Sequence, residues 1–239
     1  FRALIPIRDI NPRLHVPVVN YALLCLIGVV FLFQVSLGHD VDALTKAYGF
    51  VPADFGAALD SGRFQAILEK AVTILTSMFL HGGWFHVVGN VIYLRVFGDN
   101  VEDRFGHLPF LLFYLASGAA GALAQFLFDP SSTLPTIGAS GAIAGVLGAY
   151  VVLFPAARVV TLFPIFIFLT FIELPAFVFL GIWALQQLLN GYLALGGQGP
   201  SMGGIAWFAH IGGFALGIVC GLLFKLTHRK ERRQGVAEA

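Results

Sequence analysis

Residues Pro135 to Gly145 read "PTIGASGAIAG", and the apolar run that this stretch opens is short. Ser140 to Phe154 is fifteen residues, which as a helix span roughly 22 Å at about 1.5 Å per residue. The hydrocarbon core of a bilayer is about 30 Å thick. With its inner end at the membrane surface near Pro155, such a helix leaves Ser140 below the outer surface. Backbone leading down to it cannot face lipid, where its polar groups have no partners, so it is buried in protein or lines a water-filled cavity. The length of one helix therefore implies a submerged polar cavity.

The membrane setting follows from composition. Of 239 residues, 58% are hydrophobic and 11% charged, whereas soluble domains carry about 25% charged residues. Mean hydropathy is +0.85, and long apolar runs recur along the chain, as in polytopic helical membrane proteins. The formal net charge of +1 suggests no acidic partner, and no nucleic acid is expected to bind. Cys25 and Cys220 both fall in apolar runs and read as small hydrophobic residues rather than a disulfide. No cleavage site follows the first apolar run, so that run is expected to be retained as a span.

Spans are expected over Val16–Gly38, Gly82–Asp103, Leu108–Phe128, Ser140–Phe154, about Leu174–Leu195, and Ile205–Thr227. The stretch from Val159 to Leu195 is too long for one span and carries Pro164 and Pro175, so seven spans are the alternative. Charge decides between them. Six spans place Arg2, Arg8, Arg13, Arg104, Arg158 and the tail "KLTHRKERR" on one side, with Lys46, Arg63 and Lys70 opposite, as the positive-inside rule asks. Seven would export the basic tail. The expectation is one all-α domain over 1–239, with a short cytoplasmic segment 1–15, a basic cytoplasmic tail 228–239, and both termini cytoplasmic. The first outer loop, His39 to His81, has apolar patches suited to the membrane surface.

Other polar residues reach the depth of Ser140. The second span places His86 and Asn90 one and two turns below Gly82, and their i, i+4 spacing puts both on one face. His210 lies five residues into the sixth span. Gly141, Gly145 and Gly148 on the fourth span, with Gly213, Gly217 and Gly221 on the sixth, allow two backbones to approach closely. Close approach would let His210 accept the serine proton. Taken singly, each feature has a plainer reading as helix packing or interhelical hydrogen bonding. Gathered at one depth and open to one side, they point to chemistry.

No Asp or Glu occurs in the fourth or the sixth span, so a hydrolytic site here is a dyad with a neutral resting His210. The backbone N–H of Ser140, the Asn90 amide and the His86 imidazole are candidate oxyanion donors. Zinc needs three or four ligands, and His86 with His210 lacks an acidic or thiolate partner, so neither a metal nor a cofactor is expected.

The motifs "GASG" at 138–141, "HGGWFHVVGN" at 81–90, "FGDNVEDRFG" at 97–106 and "AHIGGFALG" at 209–217 resemble, in content and order, those of the rhomboid intramembrane serine proteases. The resemblance implies a six-transmembrane-helix rhomboid-like bundle. It makes Ser140 the nucleophile and His210 the general base, and places His86 and Asn90 at the oxyanion hole. Gly138 would let the preceding loop approach that hole. Glu102 and Arg104 match a structural polar pair at the cytoplasmic end of the second span, and His81 a histidine that supports the first loop. The chain departs from the family at Val72-Thr73, where a Trp-Arg pair often anchors the first loop. It departs again at Ala144, where an aromatic residue often packs against the catalytic imidazole. Arg95 is a charge within the second span, with snorkelling as its plain account.

The function expected is an endopeptidase of the prokaryotic cell membrane, its site open to the outer face. It would cut transmembrane protein substrates that enter from the lipid, with the fifth span and the loop "GGQGPSMGG" as gate. A catalytically silent client-binding relative is the first alternative, and keeping both Ser140 and His210 argues against it. A small-solute transporter is the second. It would need polar residues along the inner half of the spans, where little stands beyond Arg95, Gln186, Gln187 and Glu173. The oligomeric state has no signature in the sequence.

Overall fold

The computed structural model describes residues 5–165, 168–195 and 205–237. Strand β1 (Ile5–Asp9) leads into helix α1 (Val18–Ser36), then α2 (Val41–Tyr48), α3 (Pro52–Ser61) and α4 (Phe64–Thr76). Helices α5 (Trp84–Phe105), α6 (His107–Phe128) and α7 (Ser140–Leu153) follow. A hairpin of β2 (Arg158–Ile165) and β3 (Phe168–Pro175) precedes α8 (Ala176–Leu195) and α9 (Trp207–Ala237). Each of the six expected spans contains a helix, with ends within a few residues of those expected except at the C-terminus, where α9 continues into the tail.

Among the described residues, α1, α6, α8 and Trp207–Thr227 of α9 are long and apolar enough to cross a membrane. Phe64–Phe79 with Trp84–Phe105 passes the same test as a pair bent by 82°, and α7 is a shorter apolar helix. The outer faces suit lipid. α1 exposes Val29, Leu32 and Phe33, and α8 exposes Ile182, Leu185 and Leu189. In water such stripes would be a liability; in hydrocarbon they are the ordinary surface of a helix. The chain is an all-α multi-pass integral membrane protein, with a small sheet added at one end.

α7 is the central helix. Every residue from Gly141 to Tyr150 is buried, which its small and apolar sequence allows on all sides. α9 meets its backbone directly at two glycines. A β-carbon on Gly213 would overlap the carbonyl oxygen of Gly141, and one on Gly217 that of Gly145. Further from the serine, Phe97, Tyr150 and Phe179 pack as rings, with Phe97 edge-on to Tyr150 at 4.9 Å. A smaller apolar cluster of Phe50, Phe55, Ile74, Met78 and Ala122 seats the helices of the first loop on α6.

The sheet is what the sequence did not announce. β1, β2 and β3 form an antiparallel sheet in that order. "RVVTLFPI" and "FLTFIELP" are rich in β-branched and aromatic residues, which favour strands. Pro164 pairs with Leu169 of β3 and lies past Leu162, the partner of Ile5 in β1. Its missing N–H therefore costs the sheet little. The apolar excess between Val159 and Pro175 is thus a hairpin and not a further helix. Asp9 ties β1 to the bundle by accepting hydrogen bonds from Tyr150 of α7 at 2.5 Å and from the Asn100 amide of α5 at 2.9 Å.

Candidate active site

Ser140 is the first residue of α7 and His210 lies in the first turn of α9. Backbone contact between these helices brings the Ser140 Oγ to 2.8 Å from His210 Nε2. His86 and Asn90 of α5 line the same cavity of about 290 Å³, together with Gly138, Ser140 and His210. The four polar residues expected to share a depth therefore share a cavity.

The loop before Ser140 is drawn onto the first-loop helices. Thr136 and Phe50 exchange backbone hydrogen bonds of 2.7 and 3.2 Å, and the Gly138 N–H donates to the Ser77 carbonyl at 2.9 Å. Gly138 has φ of +121°, and a β-carbon there would come within 2.6 Å of His86 Nε2. Conformation and space both demand glycine. Asn90 Nδ2 stands 2.9 Å from His81 Nε2, and the other ring nitrogen of His81 faces the Phe79 carbonyl at 3.2 Å. The tautomer with the proton on Nδ1 satisfies both contacts: His81 donates to Phe79 and accepts from Asn90. The second Asn90 N–H then remains for the cavity.

His81 is itself held by a residue that sequence reasoning passed over. The buried Gln34 of α1 accepts from the His81 N–H at 2.8 Å and donates to its carbonyl at 3.2 Å. Apolar contacts share the work, with Trp84 edge-on to Phe31 at 4.9 Å. The first loop is thus anchored by a polar clasp as well as by rings. Val72 is exposed, and Thr73 turns back to the Lys70 carbonyl at 2.6 Å.

At the opposite end of α5, Glu102 is 1% exposed. It accepts from the N–H groups of Val19 and Asn20 at 2.9 and 2.6 Å and pairs with His107. It closes the first turn of α1, whose donors have no partner within the helix. Arg104 lies over the Phe154 ring at 5.3 Å. The two are not paired with each other among the described residues. Arg95 points outward and is exposed.

Three further residues surround His210. Ala144 offers the imidazole no ring, but Trp183 of α8 and Trp207 of α9 have ring centroids 6.0 and 6.3 Å from it. Gln187 of α8 stands with Oε1 2.8 Å from His210 Nδ1. Ala176, Phe179, Leu180, Gln187 and Gly191 are the buried residues of α8; they lie on one helix face, and Gln187 is on that face.

A membrane-embedded helical bundle with a serine and a histidine in contact inside a shared cavity defines the class of protein. Residues 68–226 match the rhomboid domain, and the chain belongs to the rhomboid family. It is 46% identical over 76 residues to the Rhomboid protease GluP of Bacillus subtilis, covering 32% of this chain and 14% of that protein. It is 31% identical over 151 residues to RHOMBOID-like protein 1 of Arabidopsis thaliana, covering 63% and 34%. With the mitochondrial Rhomboid protein 1 of Saccharomyces cerevisiae it shares 28% identity over 176 residues, covering 72% and 47%. The chain thus matches less than half the length of each of these relatives.

Proposed function

We propose that the chain is an intramembrane serine endopeptidase that cuts transmembrane segments of other membrane proteins. The observation that carries this reading is the 2.8 Å contact between Ser140 Oγ and His210 Nε2 inside the cavity. As Ser140 Oγ attacks the scissile carbonyl, its proton passes to His210 Nε2. The oxyanion that forms is met by the Ser140 N–H, which as a first-turn donor has no partner within its helix, and by Asn90 and His86. Collapse breaks the C–N bond, and His210 returns the proton to the leaving amine. Water then attacks the acyl-enzyme by the same route, so no cofactor takes part. Gly138 and His81 serve as supports for this geometry, and Glu102 as a support of the fold.

The placement of basic residues supports cytoplasmic termini and a site open to the outer face. Substrate enters sideways from the lipid past α8, whose narrow buried face supports its displacement. The loop at 196–204 expected to move with it lies outside the described residues. Substrates should carry weak helix formers at the cut, because a helix must unwind to present its carbonyl.

Fluorophosphonate labelling of the purified protein in detergent tests the reading, with the modified residue located by mass spectrometry. Labelling at Ser140 that is lost in Ser140→Ala is expected, together with cleavage of a transmembrane test substrate. A native protein that neither labels nor cleaves would refute the protease assignment and leave the silent client-binding reading in its place.

A further inference from the structure

The imidazole of a Ser-His dyad works as a base only in one tautomer, with the proton on Nδ1 and the lone pair of Nε2 facing the serine. Neither Ser140 nor α9 selects that tautomer, since a hydroxyl can donate or accept. The selecting group stands on the other side of the ring. Gln187 Oε1 is 2.8 Å from His210 Nδ1, and Gln187 Nε2 donates to the Trp183 carbonyl at 3.3 Å. That second bond decides the orientation of the amide: with nitrogen committed to Trp183, only the oxygen faces the imidazole, and oxygen can only accept. Gln187 is 5% exposed, so water does not compete freely for either contact.

We infer that Gln187 is a positioning residue for the dyad, holding His210 in the Nδ1–H tautomer and fixing its ring plane toward Ser140. The inference rests on the protease reading and extends it from two residues to three. A carboxylate in this place would do the same and also stabilise the imidazolium, but a buried charge in a membrane carries a heavy desolvation cost. The amide supplies the acceptor without the charge. Since Ser140 stands on α7, His210 on α9 and Gln187 on α8, the contact also makes the seating of α8 a condition for a correctly oriented base.

The test compares Gln187→Met, which keeps length and removes the acceptor, with Gln187→Glu, which restores one. Three quantities are read for each: the rate of fluorophosphonate labelling at Ser140, kcat and KM on a transmembrane test substrate, and the ¹⁵N resonances of His210, assigned by their loss in His210→Ala. Q187M should lower kcat and the labelling rate by about 10–100-fold, by analogy with the loss when the outer partner of a metal-bound histidine is removed. KM and unfolding temperature should stay near native values, and His210 should lose its Nδ1–H preference. Q187E should recover the rate and shift the acid limb of the pH–rate profile upward, because a carboxylate beside the ring favours its protonated form. If Q187M does not fold, the Q187E shift decides alone, and an unmoved acid limb overturns the proposal. Native reactivity and an unchanged tautomer in Q187M also overturn it. A native protein inert to fluorophosphonate overturns instead the protease reading, and the ¹⁵N tautomer still decides the part played by Gln187.

Discussion

Gly213 of α9 faces the carbonyl oxygen of Gly141 so closely that a β-carbon would overlap it. The contact lies one residue beyond Ser140 on α7 and three beyond His210 on α9, so it sets the separation of these two side chains. Gly213→Ala should push the helices apart, lowering the unfolding temperature and abolishing cleavage. Gly28, in the middle of α1, has open space where a side chain would be. Gly28→Ala should be harmless or stabilise by about 0.5–1 kcal/mol. Thermal unfolding in detergent beside substrate cleavage compares the pair, and equal behaviour would show that the glycine seam does not set the dyad.

The polar residues of the cavity should rank by role. Ser140→Ala and His210→Ala should each abolish detectable cleavage, with the double mutant no worse than the singles. Asn90→Ala and His86→Ala should be slower by up to about 10²–10³, the usual cost of one oxyanion donor, because a backbone donor remains. Turnover of a transmembrane substrate by the four single mutants settles the order. Persisting cleavage by Ser140→Ala would remove the serine from the mechanism.

Glu102 should matter to stability and not to chemistry. Glu102→Ala leaves two N–H groups of α1 and His107 without their acceptor, a loss of about 1–3 kcal/mol for a buried hydrogen-bonded group. Glu102→Gln should recover part of it. Labelling at Ser140 per folded molecule should stay native in both. Slower labelling in a fully folded sample would show that Glu102 reaches the site.

The first loop should depend on its polar clasp. Gln34→Leu removes both hydrogen bonds to the His81 backbone and should slow cleavage by loosening His81 and, through it, Asn90. Val72→Ala and Thr73→Ala should change activity little, since Val72 is exposed and the Thr73 hydroxyl bonds to the Lys70 carbonyl of its own helix. Initial rates on one substrate compare the three, and a reversed order would place the anchor at Val72-Thr73 after all.

Asp9 makes stability depend on pH. Burial raises its carboxyl from 3.8 to about 6, against the lowering effect of the Tyr150 hydrogen bond and with a further rise from Asp99. A carboxyl raised in the folded state binds protons there more tightly than in the unfolded chain. Its contribution is therefore fully present below the unfolded value and lost as pH climbs through the folded one. The unfolding temperature should fall between about pH 4 and 6 and then level off, and Asp9→Asn should flatten that slope. A slope unchanged in Asp9→Asn would assign it to another group.

The helical framework was legible in the sequence because a bilayer imposes the strictest patterning in protein chemistry. Every buried backbone group must be paired within its own segment, so apolar length alone marks the helices. The shortness of the run after Ser140, the depth of His86, Asn90 and His210, and the glycines at every fourth position all follow from distances along single helices. What joins separate helices was not legible in this way. The hairpin at Arg158–Pro175 shares the apolar composition of a span, and only pairing with β1 distinguishes it. Gln34, Gln187 and Trp183 are ordinary residues on helices α1 and α8 until rotation about the helix axis turns them inward. That rotation is set by packing against neighbours, which no single segment encodes. Gln34 thereby meets the His81 backbone, and Gln187 meets the far nitrogen of His210.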